Sequence, residues 1–161
     1  MAIPERLIYL SKIAGLGPLA AFGLRLLGVN VPASVHVGRG IELPHGAVGL
    51  VVHEDTIVGS NVKLYQGVTL GRSDTHLSAQ ETKQGGHIEV GDGAMIGANA
   101  CVLFRSGSVL TIGAGAVVGA NSVVLKSVPP DEIWAGNPAR RVATRQHSKL
   151  KTRPVTESGG S

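Results

Sequence analysis

The chain has 161 residues, which fits one domain, and its 23 glycines are about twice the usual ~7 % while aromatics make up only 3 %. Its mean hydropathy of +0.20 and 16 % charged residues exclude a disordered chain; a core here must be built from small branched side chains. The formal charge of +4 is local, because residues 140 to 153 hold six basic residues and no acid while residues 1 to 139 hold nine basic and ten acidic; with no aromatic interleaved, this end reads as a solvated basic tail, not a nucleic-acid site.

From Pro4 to Leu27, apolar residues recur at helical spacing, interrupted near Gly15, Gly17 and Pro18. One or two short helices packed on the body are expected over residues 1–30. The apolar run is too short and too interrupted for a membrane span, and Glu5 and Arg25 spoil a secretory leader. Cys101 stands alone, which excludes an intrachain disulfide and a thiolate zinc site. It is read as a small buried hydrophobe, and the chain as cytoplasmic.

From Val37 a six-residue period takes over. Branched apolar residues fall at Val37, Leu43, Val52, Val58, Leu64, Leu70, Val90, Ile96, Val102, Ile112, Val118 and Val124, and eight of the eleven steps are six residues. Glycine often follows, and four residues after each comes a small or branched side chain, with Asp74 the exception. One large and one small inward residue per six describes a three-sided prism, with glycine where a corner excludes a Cβ. The expected fold is mainly β, a parallel β-helix of about four coils over residues 31–128, followed by a C-terminal segment over 129–161. The long steps must be extruded: Gly71 to Gly86 reads as a polar surface loop and residues 104 to 108 as a smaller one. Loops on a rigid scaffold are where chemistry usually sits.

His45 falls two positions after Leu43, at a corner, and points outward; His87 closes the long extrusion. The stretches GRGIELPHGAVGLVVHEDTIVGSNVKLYQGVTLG, GGHIEVGDGAMIGANACVL and IGAGAVVGANSVVLKSVPPDEIWAGNPARRV resemble the serine acetyltransferase branch of the hexapeptide-repeat acyltransferases over about residues 30 to 142. The resemblance implies a left-handed parallel β-helix, a homotrimer, and acetyl-CoA-dependent transfer to a hydroxyl of a small molecule or sugar, with no metal. The family's general base falls on His45 and its second active-site histidine on His87. The base's orienting partner falls on Asn30, and the oxyanion donors on backbone amides around Gly71 and Arg72. The coenzyme A positions fall on Ala98, Ala120, Lys126 and Arg140. A base is needed because a neutral alcohol attacks a thioester slowly, an effect worth roughly 10² to 10⁴.

The departures are instructive. The family has acids where this chain has Asn30 and Pro44, and an arginine where it has Gly86. The first of these orients the base, while the groups at positions 44 and 86 grip an amino acid, so a sugar or other non-amino-acid acceptor is expected and L-serine is expected to be poor. The alternatives are serine O-acetylation in cysteine biosynthesis and a non-catalytic assembly solenoid. A zinc enzyme on the same scaffold is disfavoured, since no pair of histidines lies five apart.

Overall fold

The computed structural model describes residues 3–78, 80–81 and 85–145; His147, Lys149, Lys151 and Arg153 of the basic end lie outside them. Two helices come first, α1 (Ile3–Leu10) and α2 (Gly17–Leu26), broken where the glycines and Pro18 predict. Short strands follow: β1 (His36–Val37), β2 (Val51–Val52), β3 (Ile57–Val58), β4 (Lys63–Leu64), β5 (Thr69–Arg72), β6 (His87–Val90), β7 (Met95–Ile96), β8 (Cys101–Phe104), β9 (Val109–Ile112), β10 (Val117–Val118), β11 (Val123–Val124), β12 (Glu132–Gly136) and β13 (Ala139–Thr144).

They build three sheets, the faces of a prism. The first face runs β1-β3-β6-β9, the second β4-β7-β10-β12-β13 and the third β2-β5-β8-β11. Every ladder is parallel except β12 with β13. The chain forms a left-handed parallel β-helix. The coils are in register along the predicted period, with Val58 beside Val90 and Val90 beside Ile112 on the first face. The inward residues form one buried column, in which Val62, Val68, Ala94, Ala100 and Ala116 are fully enclosed. Small side chains recur there because three walls converge and leave little volume per layer.

At the edge between the first and second faces, glycine is dictated by the next coil. A Cβ on Gly38 would lie 2.6 Å from the carbonyl carbon of Gly59, and one on Gly91 would lie 2.5 Å from the amide nitrogen of Ala114. Coil stacking therefore fixes these glycines, rather than backbone dihedrals.

Several expectations need correction. Asp74 does not break the inward pattern: it is buried and receives hydrogen bonds from the backbone N–H and hydroxyl of Ser106, both at 3.0 Å. Phe104 is not extruded but ends β8, 1 % exposed, and Ser106 is buried too. The prism does not stop at 128, since β12 pairs with β10 on the second face. Arg140 and Arg141 belong to the hairpin strand β13, not to a loose tail. Cys101 is half-buried, with its inward neighbour Val102 taking the core position.

The helices close the first coil. Tyr9 donates its hydroxyl to the Gly38 carbonyl at 2.7 Å, and Glu5 accepts from the Leu43 amide at 3.0 Å. Lys12 donates to the carbonyls of Pro32, Ala33 and Val35, and burial pushes its ammonium pKa down. Among the described residues no helix is long and apolar enough to cross a membrane.

Candidate functional site

His45 sits in a tight turn, Pro44–Ala47, on the edge between the second and third faces. Three extra residues there, relative to an 18-residue coil, force an unusual path, and the backbone turns left-handed at His45 (φ 55°), Gly46 and Ala47 (φ 49°). Non-glycine residues at positive φ are uncommon and concentrate at functional sites. The imidazole is exposed, and its ring neighbour is Tyr65, 6.4 Å away between centroids and tilted by 48°.

Coil by coil above this turn, the amide of Gly67 donates to Val48, that of Asn99 to Gln66 and that of Asn121 to Ala98. Ala98 and Ala120 thus stand one above the other on the His45 edge, as their spacing of 22 predicts. Arg140 lies beyond them on β13, opposite Ala135 on the second face. Asn30 bridges to Val51 on the third face. Among the described residues no hydrogen bond joins the Asn30 side chain to His45.

The other residues gather on a different edge, between the third and first faces. Here β5 ends and β6 begins, and the pieces between and around them pack together: the Ser73 amide donates to Phe104, that of Gly107 to Gly85 and that of His87 to Ser108. A groove of about 540 Å³ opens among Asp74, His76, Arg105, Ser108 and Lys126. Among the described residues Arg105 and Lys126 have no carboxylate partner, and the one acid lining the groove is the buried Asp74. Burial opposes charge on that carboxyl, yet the Ser106 hydrogen bonds, with the Arg72 guanidinium 3.4 Å away, outweigh it and hold the pKa below the usual carboxylate range.

A second groove on this edge, about 490 Å³, is lined by Ser34, His36, Glu54, Asp55, Gly86 and His87 among others. His87 and Glu89 both point outward from β6, whose inward residues Ile88 and Val90 are buried. Their side chains meet, His87 Nε2 to Glu89 Oε1, at 3.0 Å. The sequence reading missed this pair, although strand alternation places residues i and i+2 on one face.

Gly71 differs from the stacking glycines. A Cβ there would meet only ordinary contacts, Thr69 at 3.5 Å and Leu103 at 3.7 Å. In the parallel ladder the amides of Thr69 and Ser73 donate to Ala100 and Phe104 of the next coil. By the same alternation the Gly71 amide turns into that ladder. The Arg72 amide turns the other way, beyond the end of β2, where the His53 carbonyl is already taken by Thr56.

With this geometry in hand, known proteins are informative. No protein-family model matches the chain. Serine acetyltransferase 1, chloroplastic, of Arabidopsis thaliana is 41 % identical over 128 residues, covering 76 % of this chain and 37 % of the relative. Soybean serine acetyltransferase solved with serine is 36 % identical with a TM-score of 0.67, covering 87 % of this chain and 54 % of that one. Its counterpart from Brucella abortus strain S19, solved in complex with coenzyme A, is 30 % identical with a TM-score of 0.69, covering 89 % and 54 %. The chain is a hexapeptide-repeat protein of the serine acetyltransferase-like branch. It spans a little over a third of the plant relative's length and about half of the solved chains'. Within this branch, the edge with His45 and the edge with His87 are the two places where motif residues collect, and on one chain they lie at different corners of the prism.

Proposed function

We propose that the protein is an acetyl-CoA-dependent O-acetyltransferase working as a homotrimer, with each site completed by the His45 edge of one copy and the His87 edge of the next. The support is the partition itself: His45, Ala98 and Ala120 share one edge, while Arg72, His87 and Lys126 share another, and a prism cannot bring two of its own edges together. The relatives solved with serine and with coenzyme A supply the substrate classes.

In this reading His45 takes the proton of the acceptor hydroxyl as its oxygen attacks the thioester carbonyl. The Arg72 backbone N–H donates to the oxyanion of the tetrahedral intermediate. As that intermediate collapses, the imidazolium returns the proton to the departing thiolate. Lys126, and Arg140 at the far end of the coils, provide positive charge for the nucleotide phosphates.

The names of the relatives favour L-serine as the acceptor over the sugar expected from the departures. One observation favours the sugar-like second reading: position 86, which carries the family's arginine, has no room for a side chain here. Release of free coenzyme A, followed with L-serine and with a panel of sugars and nucleotide sugars at equal sub-saturating concentrations, decides between them. No thiol release with any acceptor would overturn the acetyltransferase reading as a whole.

A further inference from the structure

The branch pairs its base histidine with an acid at the position of Asn30, and that pairing is absent here. Instead, among the described residues, the histidine side chain joined to a carboxylate by a well-formed hydrogen bond is His87, through Glu89 at 3.0 Å. Among the described residues the other histidine–carboxylate ion pair is His53 with Asp55, whose Nδ1 to Oδ2 distance of 3.8 Å is too long for a hydrogen bond.

We infer that Glu89 is a positioning residue that holds His87 as the Nε2–H tautomer and so leaves the Nδ1 lone pair as an acceptor for a second donor group of the acceptor substrate, distinct from the hydroxyl that His45 deprotonates. An ionised carboxylate can only accept, so the imidazole nitrogen facing it must carry the hydrogen. In the neutral ring the other nitrogen is then bare. The pair is held on a rigid element: Glu89 is in register with Ile57 on one side and Thr111 on the other, and the inward Ile88 and Val90 anchor the strand between them. A tautomer set by a group on a sheet is better defined than one set by a loop. The acids Glu54 and Asp55 and the imidazole of His36 line the same groove as His87, and none of them is hydrogen-bonded to its ring. Among the described residues Glu89 is therefore the group that fixes that ring's hydrogen, and a second donor group of the substrate arriving in the groove meets an acceptor rather than a competing donor.

This rests on the acetyl-transfer reading, but its first test does not. Nitrogen-15 correlation spectra of the imidazoles, with His87 assigned through His87→Gln, report the tautomer directly. The wild type should show His87 with hydrogen on Nε2. Glu89→Ala should shift it to a mixture or to the other tautomer, and Glu89→Gln, whose carbonyl can still accept, should restore part of the original signal. In the acetyltransfer assay Glu89→Ala should lower kcat/KM for the acceptor about tenfold, a fraction of the ~10² to 10⁴ that acid–base groups carry, with the KM for acetyl-CoA unchanged. A wild-type His87 with hydrogen on Nδ1, or a tautomer indifferent to Glu89→Ala, overturns the inference. So does a variant whose tautomer moves while acceptor kinetics stay as in the wild type. If the wild-type protein transfers no acetyl group, the function fails, and the spectra still decide whether Glu89 sets the ring.

Discussion

The carbonyl oxygen of Ser108 lies 2.6 Å from where a Cβ on Gly86 would stand, and the Ser108 and Gly107 amide nitrogens lie within 3.0 Å of the same point. The small extrusion of the next coil has thus moved into the space that a side chain at position 86 would need. Gly86→Arg should destabilise the fold by about 1–3 kcal/mol, the usual cost of overpacking, read by urea unfolding. Equal stability of Gly86→Arg and wild type would show that the extrusion yields and does not control position 86.

The two-edge arrangement predicts complementation. His45→Ala should lower turnover by at least ~10² with acetyl-CoA affinity nearly intact, and His87→Ala should impair use of the acceptor. Mixing the two variants through unfolding and refolding should recover activity, to about a quarter of wild type if copies assort at random in a symmetric ring. No recovery, or a monomer by light scattering, would falsify the shared site.

The prism was legible because its period is enforced at every layer: an inward residue of the wrong size meets three walls at once, so Val62, Val68 and Ala100 announce themselves. The helix break at Gly17 and Pro18 was equally plain. What the period hid lay where it lapses. Asp74 looked like an interruption because its partner, Ser106, is 32 residues away and one coil up. The split of site residues between edges was implicit in the order of the faces, yet only the sheet pairing shows that His45 and His87 belong to different ones. The His87–Glu89 pair was readable from alternation alone. The role given to Asn30 was carried by resemblance, and the structure shows no bond from its side chain to His45.

The glycines separate stacking from access. A Cβ on Gly97 would lie 2.7 Å from the Ala120 amide nitrogen and 3.0 Å from the Val118 carbonyl oxygen, so Gly97→Ala should lower stability by about 1–3 kcal/mol. Gly71→Ala should unfold with the wild type and yet lose acetyl transfer, because the added methyl stands on the outer surface beside Thr69 and Leu103. Thermal melts and thiol release on the same two variants check both halves.

Asp74 links stability to pH. Its folded pKa is depressed, so the stabilisation it gives is complete above the ordinary carboxylate pKa of about 4 and is lost as pH falls through the lower folded value. Wild type and Ser106→Ala should therefore differ in urea midpoint at neutral pH and converge as pH falls below the ordinary carboxylate pKa of about 4. A difference that persists unchanged in acid would mean that the Ser106 contribution is packing alone.

A stack of parallel strands is a template at both ends, since its last layer offers unsatisfied amides and carbonyls to any further layer. Among the described residues both ends are covered in part. Below, Lys12, Tyr9 and Glu5 occupy the carbonyls of Pro32, Ala33, Val35 and Gly38 and the amide of Leu43. Above, on the second face, β13 reverses direction against β12 and ends the parallel run. The helical segment thus acts as a terminator of growth as well as packing: with α1 gone, the first coil would present an open rung, and copies would be free to add end to end as filaments.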